Sequence, residues 1–204
     1  MAVKLTKNEL KSQKDSLKQF QRYLPTLQLK KQQLQMVIMS IYSELEAKEK
    51  ERSKMIGNLD DWISVFAENR LFNDDLKIEN LVKPDKVVST FENVAGVSIP
   101  VFKELTFLPI DYEIADYPLW VDTALVKLRE IARLDALVKT LHQQVKLLEK
   151  ELKTTSQRVN LFEKVKIPEA KENIRVIGIY LGDQQTASVV RGKIAKKKLQ
   201  GAAS

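Results

Sequence analysis

The chain contains no cysteine, a single histidine, two tryptophans, and only six glycines and six prolines among 204 residues. Without cysteine there is no disulfide framework and no thiolate chemistry. One histidine cannot supply a His-Glu-x-x-His pair, and no glycine-rich phosphate loop precedes a Lys-Ser/Thr pair. No apolar stretch approaches the roughly 20 residues needed to cross a bilayer, and Met1 to Leu10 lacks the apolar region of a secretory signal. These absences lead to the expectation of a cytoplasmic chain, with no cofactor, no metal and no direct membrane insertion. Catalysis finds little support. His142 lies beside a seam position and reads as a part-exposed surface histidine, while Asp60-Asp61 and Asp74-Asp75 read as solvated carboxylates.

What the chain has in abundance is charge and helical periodicity. Hydrophobic residues make up 44% and charged residues 30%, the profile of a helix-rich protein. The net charge of +7 is unevenly spread. Residues 1–66 carry 12 Lys/Arg against 8 Asp/Glu, residues 67–118 carry 5 against 10, and residues 119–204 carry 17 against 9. Basic arms therefore flank an acidic middle, and a basic surface suits nucleic acid, anionic lipid or an acidic protein cavity.

Each arm holds a heptad seam. The first runs Leu10, Leu17, Leu24, Ile38, Leu45, Leu59 and Phe66, interleaved with Phe20, Leu27, Leu34, Ile41, Met55 and Trp62, and is broken only by Gln13, Lys31, Lys48 and Arg52. The second runs Ile131, Leu134, Val138, Leu141, Val145, Leu148, Leu152, Val159 and Phe162. Alternating steps of three and four keep one apolar stripe against a partner helix when both are slightly underwound, which specifies left-handed supercoiling. Trp62 and Trp120 read as packing residues. Pairing within one chain predicts an all-α dominated fold: a long antiparallel two-helix coiled coil carrying a small central β-hairpin-containing knob. The expected division is a first long helix over 1–70, a knob over 71–118, and a second long helix with a basic tail over 119–204. Positions 59 and 126, 45 and 140, and 24 and 161 should then lie roughly opposite each other, leaving the tail beyond about residue 182 unpaired.

In the middle segment, Pro84, Gly96, Pro100, Pro109 and Pro118 punctuate the runs Lys86–Phe91, Val97–Phe102 and Leu105–Tyr112, which predict short strands and a hairpin. The first helix is expected to fray between Arg70 and Asp75, and the second to begin after Pro118. Two irregularities interrupt the arms. Pro25 removes a hydrogen bond to the carbonyl of Gln21 and predicts a kink. Beyond Phe162 the apolar positions reappear one residue late, as Ile167, Ala170, Ile174, Ile177 and Leu181, with Pro168 at the skip, so the hairpin is expected to bend or loosen there.

At this point the residues resemble a known family. Leu5-Thr6-Lys7-Asn8-Glu9-Leu10, the stretch Leu27 to Leu34, the element Glu92-Asn93-Val94-Ala95-Gly96-Val97-Ser98-Ile99-Pro100, the run Arg158-Val159-Asn160-Leu161-Phe162-Glu163, then Ile167-Pro168, Lys193 and Lys196-Lys197 are similar in order and spacing to the D subunits of V-type (A/V-type) ATP synthases. Those are central rotor shafts that parallel the gamma subunit of F-type enzymes. Asp183-Gln184-Gln185-Thr186-Ala187-Ser188 departs from the acidic-basic cluster common there, and Lys31-Gln32-Gln33 lacks the Arg-Asp pair.

The resemblance implies a non-catalytic central stalk subunit. It would transmit torque between a catalytic hexamer and a membrane ring during ion transport coupled to ATP, as a peripheral part of a membrane-bound complex. Its implied partners are the catalytic and regulatory subunits of the head, the small F subunit of the stalk, and the subunit capping the membrane ring. Candidate hexamer contacts are Lys4, Lys7, Lys11, Arg191, Lys193, Lys196, Lys197 and Lys198, and the seam residues expected to hold the hairpin include Leu17, Leu24, Leu34, Ile38, Leu45, Val145, Leu148, Leu152, Val159 and Phe162. The alternative is a basic coiled-coil nucleic-acid-binding or scaffold protein, against which the acidic middle argues.

Overall fold

The computed structural model describes residues 3–59, 81–109, 117–118 and 120–202, with side chains up to Lys198 at the C-terminal end. Helix α1 spans Lys7–Gly57, strands β1 and β2 span Pro84–Val94 and Val97–Phe107, and helix α2 spans Trp120–Leu161. A π turn, Phe162–Lys166, leads directly into helix α3, Ile167–Ala202. The fold is the helical hairpin with a small β-hairpin that the periodicity predicts. Trp62, Phe66, Asp60-Asp61, Asp74-Asp75, the fraying expected between Arg70 and Asp75, and Ile110 to Tyr112 lie outside the described residues.

Helix α1 begins as its sequence dictates. The Thr6 hydroxyl accepts a hydrogen bond from the Glu9 backbone N–H at 3.2 Å, and Glu9 places negative charge in the first turn. The helix continues through Pro25 without a break.

The chain divides into two compact units. One comprises residues 32–153, the other residues 1–31 with 154–204. In the first, the core joins Leu34, Ile38, Ile41 and Leu45 of α1 to Leu141, Val145 and Leu148 of α2, and closes over Ile99 of β2. A second cluster gathers Leu81, Tyr117, Val121 and Leu125.

The hairpin is the third layer of that unit. Strands β1 and β2 pair antiparallel from Val94↔Val97 down to Pro84↔Phe107, joined by the two-residue turn Ala95-Gly96. Both turn residues have positive φ, 49° and 83°, as a type I′ turn requires, and the Gly96 N–H donates to the Asn93 side-chain oxygen at 2.9 Å. The sequence suggests two separate short runs, Val97–Phe102 and Leu105 onward; the structure joins them into the single strand β2. Pro100 is accommodated because a two-stranded sheet leaves an outer edge that needs no donor. Val94, Ala95 and Val97 pack onto the helical core, and the Gln144 side-chain amide donates to the Pro100 carbonyl at 2.6 Å. At the other end of the hairpin the guanidinium groups of Arg129 and Arg133 both lie over the Phe107 ring, at 5.4 and 5.6 Å.

The other unit is thinner. Val159, Ala170 and Ile177 are its buried apolar residues among those described, with Thr155 buried at a seam position that the apolar pattern skips. Phe20 packs on Phe162 with ring centroids 5.3 Å apart, and the Asn173 amide donates to the Gln13 side-chain oxygen at 3.4 Å.

Candidate interaction surfaces

Polar residues at seam positions would be costly if they entered the interface without partners. All four interruptions of the first seam are half-buried, and three of them have named partners. Gln13 donates to Glu9 at 2.9 Å besides accepting from Asn173, Lys48 pairs with Glu51 at 2.8 Å, and Arg52 pairs with Asp135 across the hairpin. Tyr42 and Glu149 also meet across it, hydroxyl to carboxylate at 2.9 Å, and that carboxylate pushes the phenol of Tyr42 above its ordinary range. His142 contacts Glu49 at 3.3 Å on the surface, with both side chains about half exposed. These pairs run antiparallel along α1 and α2, the sense predicted from the two seams.

The ten named seam residues all face inward to some degree. Leu34, Ile38, Leu45, Val145, Leu148 and Val159 are buried, while Leu17, Leu24, Leu152 and Phe162 are half-buried.

The eight basic candidates lie in the unit formed by the chain ends, and every one is exposed. Lys4 precedes α1, Lys7 and Lys11 occupy its first turns, and Arg191, Lys193, Lys196, Lys197 and Lys198 sit in the last third of α3. None of them makes an ion pair among the described residues. From Gly182 to Lys198 every residue of α3 is exposed, and one acidic residue, Asp183, stands among five basic ones. Val189, Val190 and Ile194 are half-exposed there, so this stretch is an amphipathic basic helix without a partner helix among the described residues. Five closely spaced like charges create a field that favours acidic surfaces.

Sequence reasoning passes over two features. Leu29, Met36 and Met39 stand 55%, 68% and 74% exposed on α1, away from the seam. Their signal is present as apolar residues outside the a and d positions, two of them seven apart. Gln144, which holds the hairpin, carries no signal, because its acceptor is a backbone carbonyl 44 residues away.

Among the described residues, no group of three or more His, Asp and Glu is placed to hold a metal ion, and no helix is long and apolar enough to cross a membrane. Two open clefts of about 460 Å³ lie among the described residues. One lies between the β-hairpin and α2, lined by Val87, Ser89, Leu105, Asp135 and Lys139; the other lies on the first turns of α1. Neither assembles a nucleophile with a base.

A family model for the D subunit of ATP synthase matches residues 9–197. The chain is 49% identical over 197 residues to the V-type ATP synthase D subunit of Borreliella burgdorferi, covering 97% of this chain and 95% of that protein. It is 35% identical over 201 residues to the V-type ATP synthase D subunit of Chlamydia pneumoniae, covering 97% and 93%. The corresponding protein of Chlamydia abortus is 36% identical over 205 residues, covering 97% and 94%. The matches run through both helical arms and the β-hairpin alike, and on that extent the chain belongs to the D-subunit family of ATP synthases.

Proposed function

We propose that this chain is the non-catalytic central stalk subunit of a V-type ATP synthase, carrying torque between the catalytic head and the membrane ring in ion transport coupled to ATP. The family match across residues 9–197, on a helical hairpin whose terminal unit exposes an unpaired basic helix, carries the reading. The chain acts by shape. A turning shaft presents a different face to each catalytic interface, and it biases an interface only by contacting its open and closed forms unequally. Chemically identical sites are thereby held in different states without any catalytic residue in the shaft.

In this reading the exposed residues Lys4, Lys7, Lys11, Arg191, Lys193, Lys196, Lys197 and Lys198 face acidic patches lining the head. The small F subunit binds beside the coiled coil, and the subunit capping the membrane ring engages the opposite end. The chain is peripheral to the membrane, on its cytoplasmic side. Helix arms near 1–70 and 119–204, with a knob between them, divide the labour between head and ring.

The test is ATP hydrolysis by the reconstituted head with the full-length chain or with a chain lacking residues 182–204. The truncated chain should keep its paired helices and hairpin, yet dock more weakly or lose coupling. If the full-length chain neither associates with the head nor alters its turnover, the reading fails. A salt-dependent gel shift with nucleic acid that weakens on truncation would favour the alternative.

A further inference from the structure

The seam of the returning arm contains one residue too many. Its inward positions step by three and four through Leu148, Leu152, Thr155, Val159 and Phe162, then by five to Ile167, and again by three and four through Ala170, Ile174 and Ile177. The π turn absorbs the surplus: the Ile167 N–H donates to the Phe162 carbonyl, five residues back, and the seam re-enters in phase. The accommodation leaves a weak level. None of residues Phe162 to Lys166 is buried, and Leu161 and Val165 stand 45% and 48% exposed.

The opposing helix is weakened at the same level. Phe20 is the residue of α1 that meets Phe162, and Pro25 follows it by five positions, with no N–H to offer the carbonyl of Gln21. On the other side of the Phe20–Phe162 contact the seam is incompletely filled. Gln13, Ser16, Lys166, Ala170 and Asn173 line an open cleft of about 170 Å³ there. Small and polar side chains replace the leucines found elsewhere. A helical hydrogen bond missing at Pro25, a π turn with no buried residue, and an open cleft lined by small and polar side chains coincide within a few turns.

We propose that this level is a torsional joint, at which the hairpin absorbs twist by local rearrangement of the π turn while the layers around Leu34 and Leu148 stay rigid. The functional half of the proposal rests on the central stalk reading, because a torque-bearing chain has a use for a compliant element.

Deleting Val165 tests it, since the deletion restores unbroken steps of three and four from Val159 to Ile177. In the isolated chain we expect the melting temperature to rise by about 2–4 °C, as for a modest gain in packing, whereas deleting Lys153, where no surplus exists, should lower it by about 10 °C or more. Amide hydrogen exchange over residues 163–172 should be faster in the wild-type chain than over residues 141–148, and deletion of Val165 should slow it by about tenfold. Bound to the head, the Val165-deleted chain should assemble normally but lower turnover by about twofold, because a stiffer shaft slows the conformational steps.

A melting temperature that falls as it does for the Lys153 deletion overturns the joint. Exchange over 163–172 as slow as over 141–148 overturns it too, whatever the chain's partners. Unchanged turnover with normal assembly removes the functional role and leaves the stalk reading standing. Failure of the wild-type chain to associate with the head removes the stalk reading and the joint's use together, while the melting and exchange results still decide whether the compliant level exists.

Discussion

The two units of this chain are built from the same kind of helix pairing, and they bury very different amounts. Of the 18 buried apolar residues among those described, 15 lie in residues 32–153 and three lie in the unit made by the chain ends. The seams are of similar length and spacing, so periodicity is not the cause. Two additions make the difference: β2 inserts Ile99 against the two helices while Val94, Ala95 and Val97 cover their flank, and Leu81 and Tyr117 cluster with Val121 and Leu125 of α2. Two helices alone shield a stripe, whereas two helices and a sheet enclose a core. The thinner unit compensates with an aromatic pair and polar bridges, and it leaves its last helical turns bare.

The largest expected effect tests this contrast at its centre. Leu148 is fully buried in the three-layer core, so Leu148→Ala should destabilise the chain by about 2–5 kcal/mol in urea unfolding. Leu17, half-buried in the two-helix unit, should cost only about 1 kcal/mol on the same substitution. Equal losses would mean that the hairpin adds nothing to packing. Next in size, Gly96→Val forces a β-branched residue to adopt the φ of 83° at the hairpin turn, with an expected loss of about 1–2 kcal/mol. Hydrogen exchange at residues 141–148 should quicken as the third layer loosens, and the Phe162 region should not respond.

Ion pairs should matter less than either. Arg52 and Asp135 bridge the hairpin with 40% and 35% of their side chains exposed, and a double-mutant cycle with Arg52→Met and Asp135→Asn should give a coupling below about 1 kcal/mol, shrinking at high salt. The smallest effect lies in the terminal unit, where Arg175 makes two hydrogen bonds to Glu172 and holds its carboxyl below the ordinary carboxylate range. A depressed folded value means the contribution is present above the unfolded carboxylate pKa and disappears as pH falls through the folded one. The melting curves of wild type and Glu172→Gln should therefore differ slightly at neutral pH and converge in acid. A gap that widens in acid would reverse the assigned sign.

Part of this architecture is legible in residue spacing alone. The seam at Leu34, Ile38, Leu141, Val145 and Leu148 announces paired helices, and the skip after Phe162 announces a defect, because both are arithmetic on position. The Ala95-Gly96 turn is legible as glycine between two β-rich runs. The eight basic residues stand out by charge and position, and the structure places them all on exposed surface, but exposure identifies no partner. Other features carry no such signal. Arg52 and Lys48 read as flaws in the seam, and only Asp135 and Glu51 beside them explain why they are tolerated. Thr155 reads as a gap and is buried.

By itself the sequence determined which residues are helical, which face of each helix is apolar, that the chain turns back on itself, and where one residue is surplus. These follow from local rules of period and turn chemistry that act within a few residues. Only the tertiary structure decided that the hairpin lies on the coiled coil with Ile99 in its core, that Gln144 fastens it, and that the surplus residue becomes a π turn opposite Phe20 rather than a break. Each of those depends on groups brought together from distant parts of the chain, where shape and unpaired polar atoms, rather than periodicity, choose among the arrangements that the pattern allows.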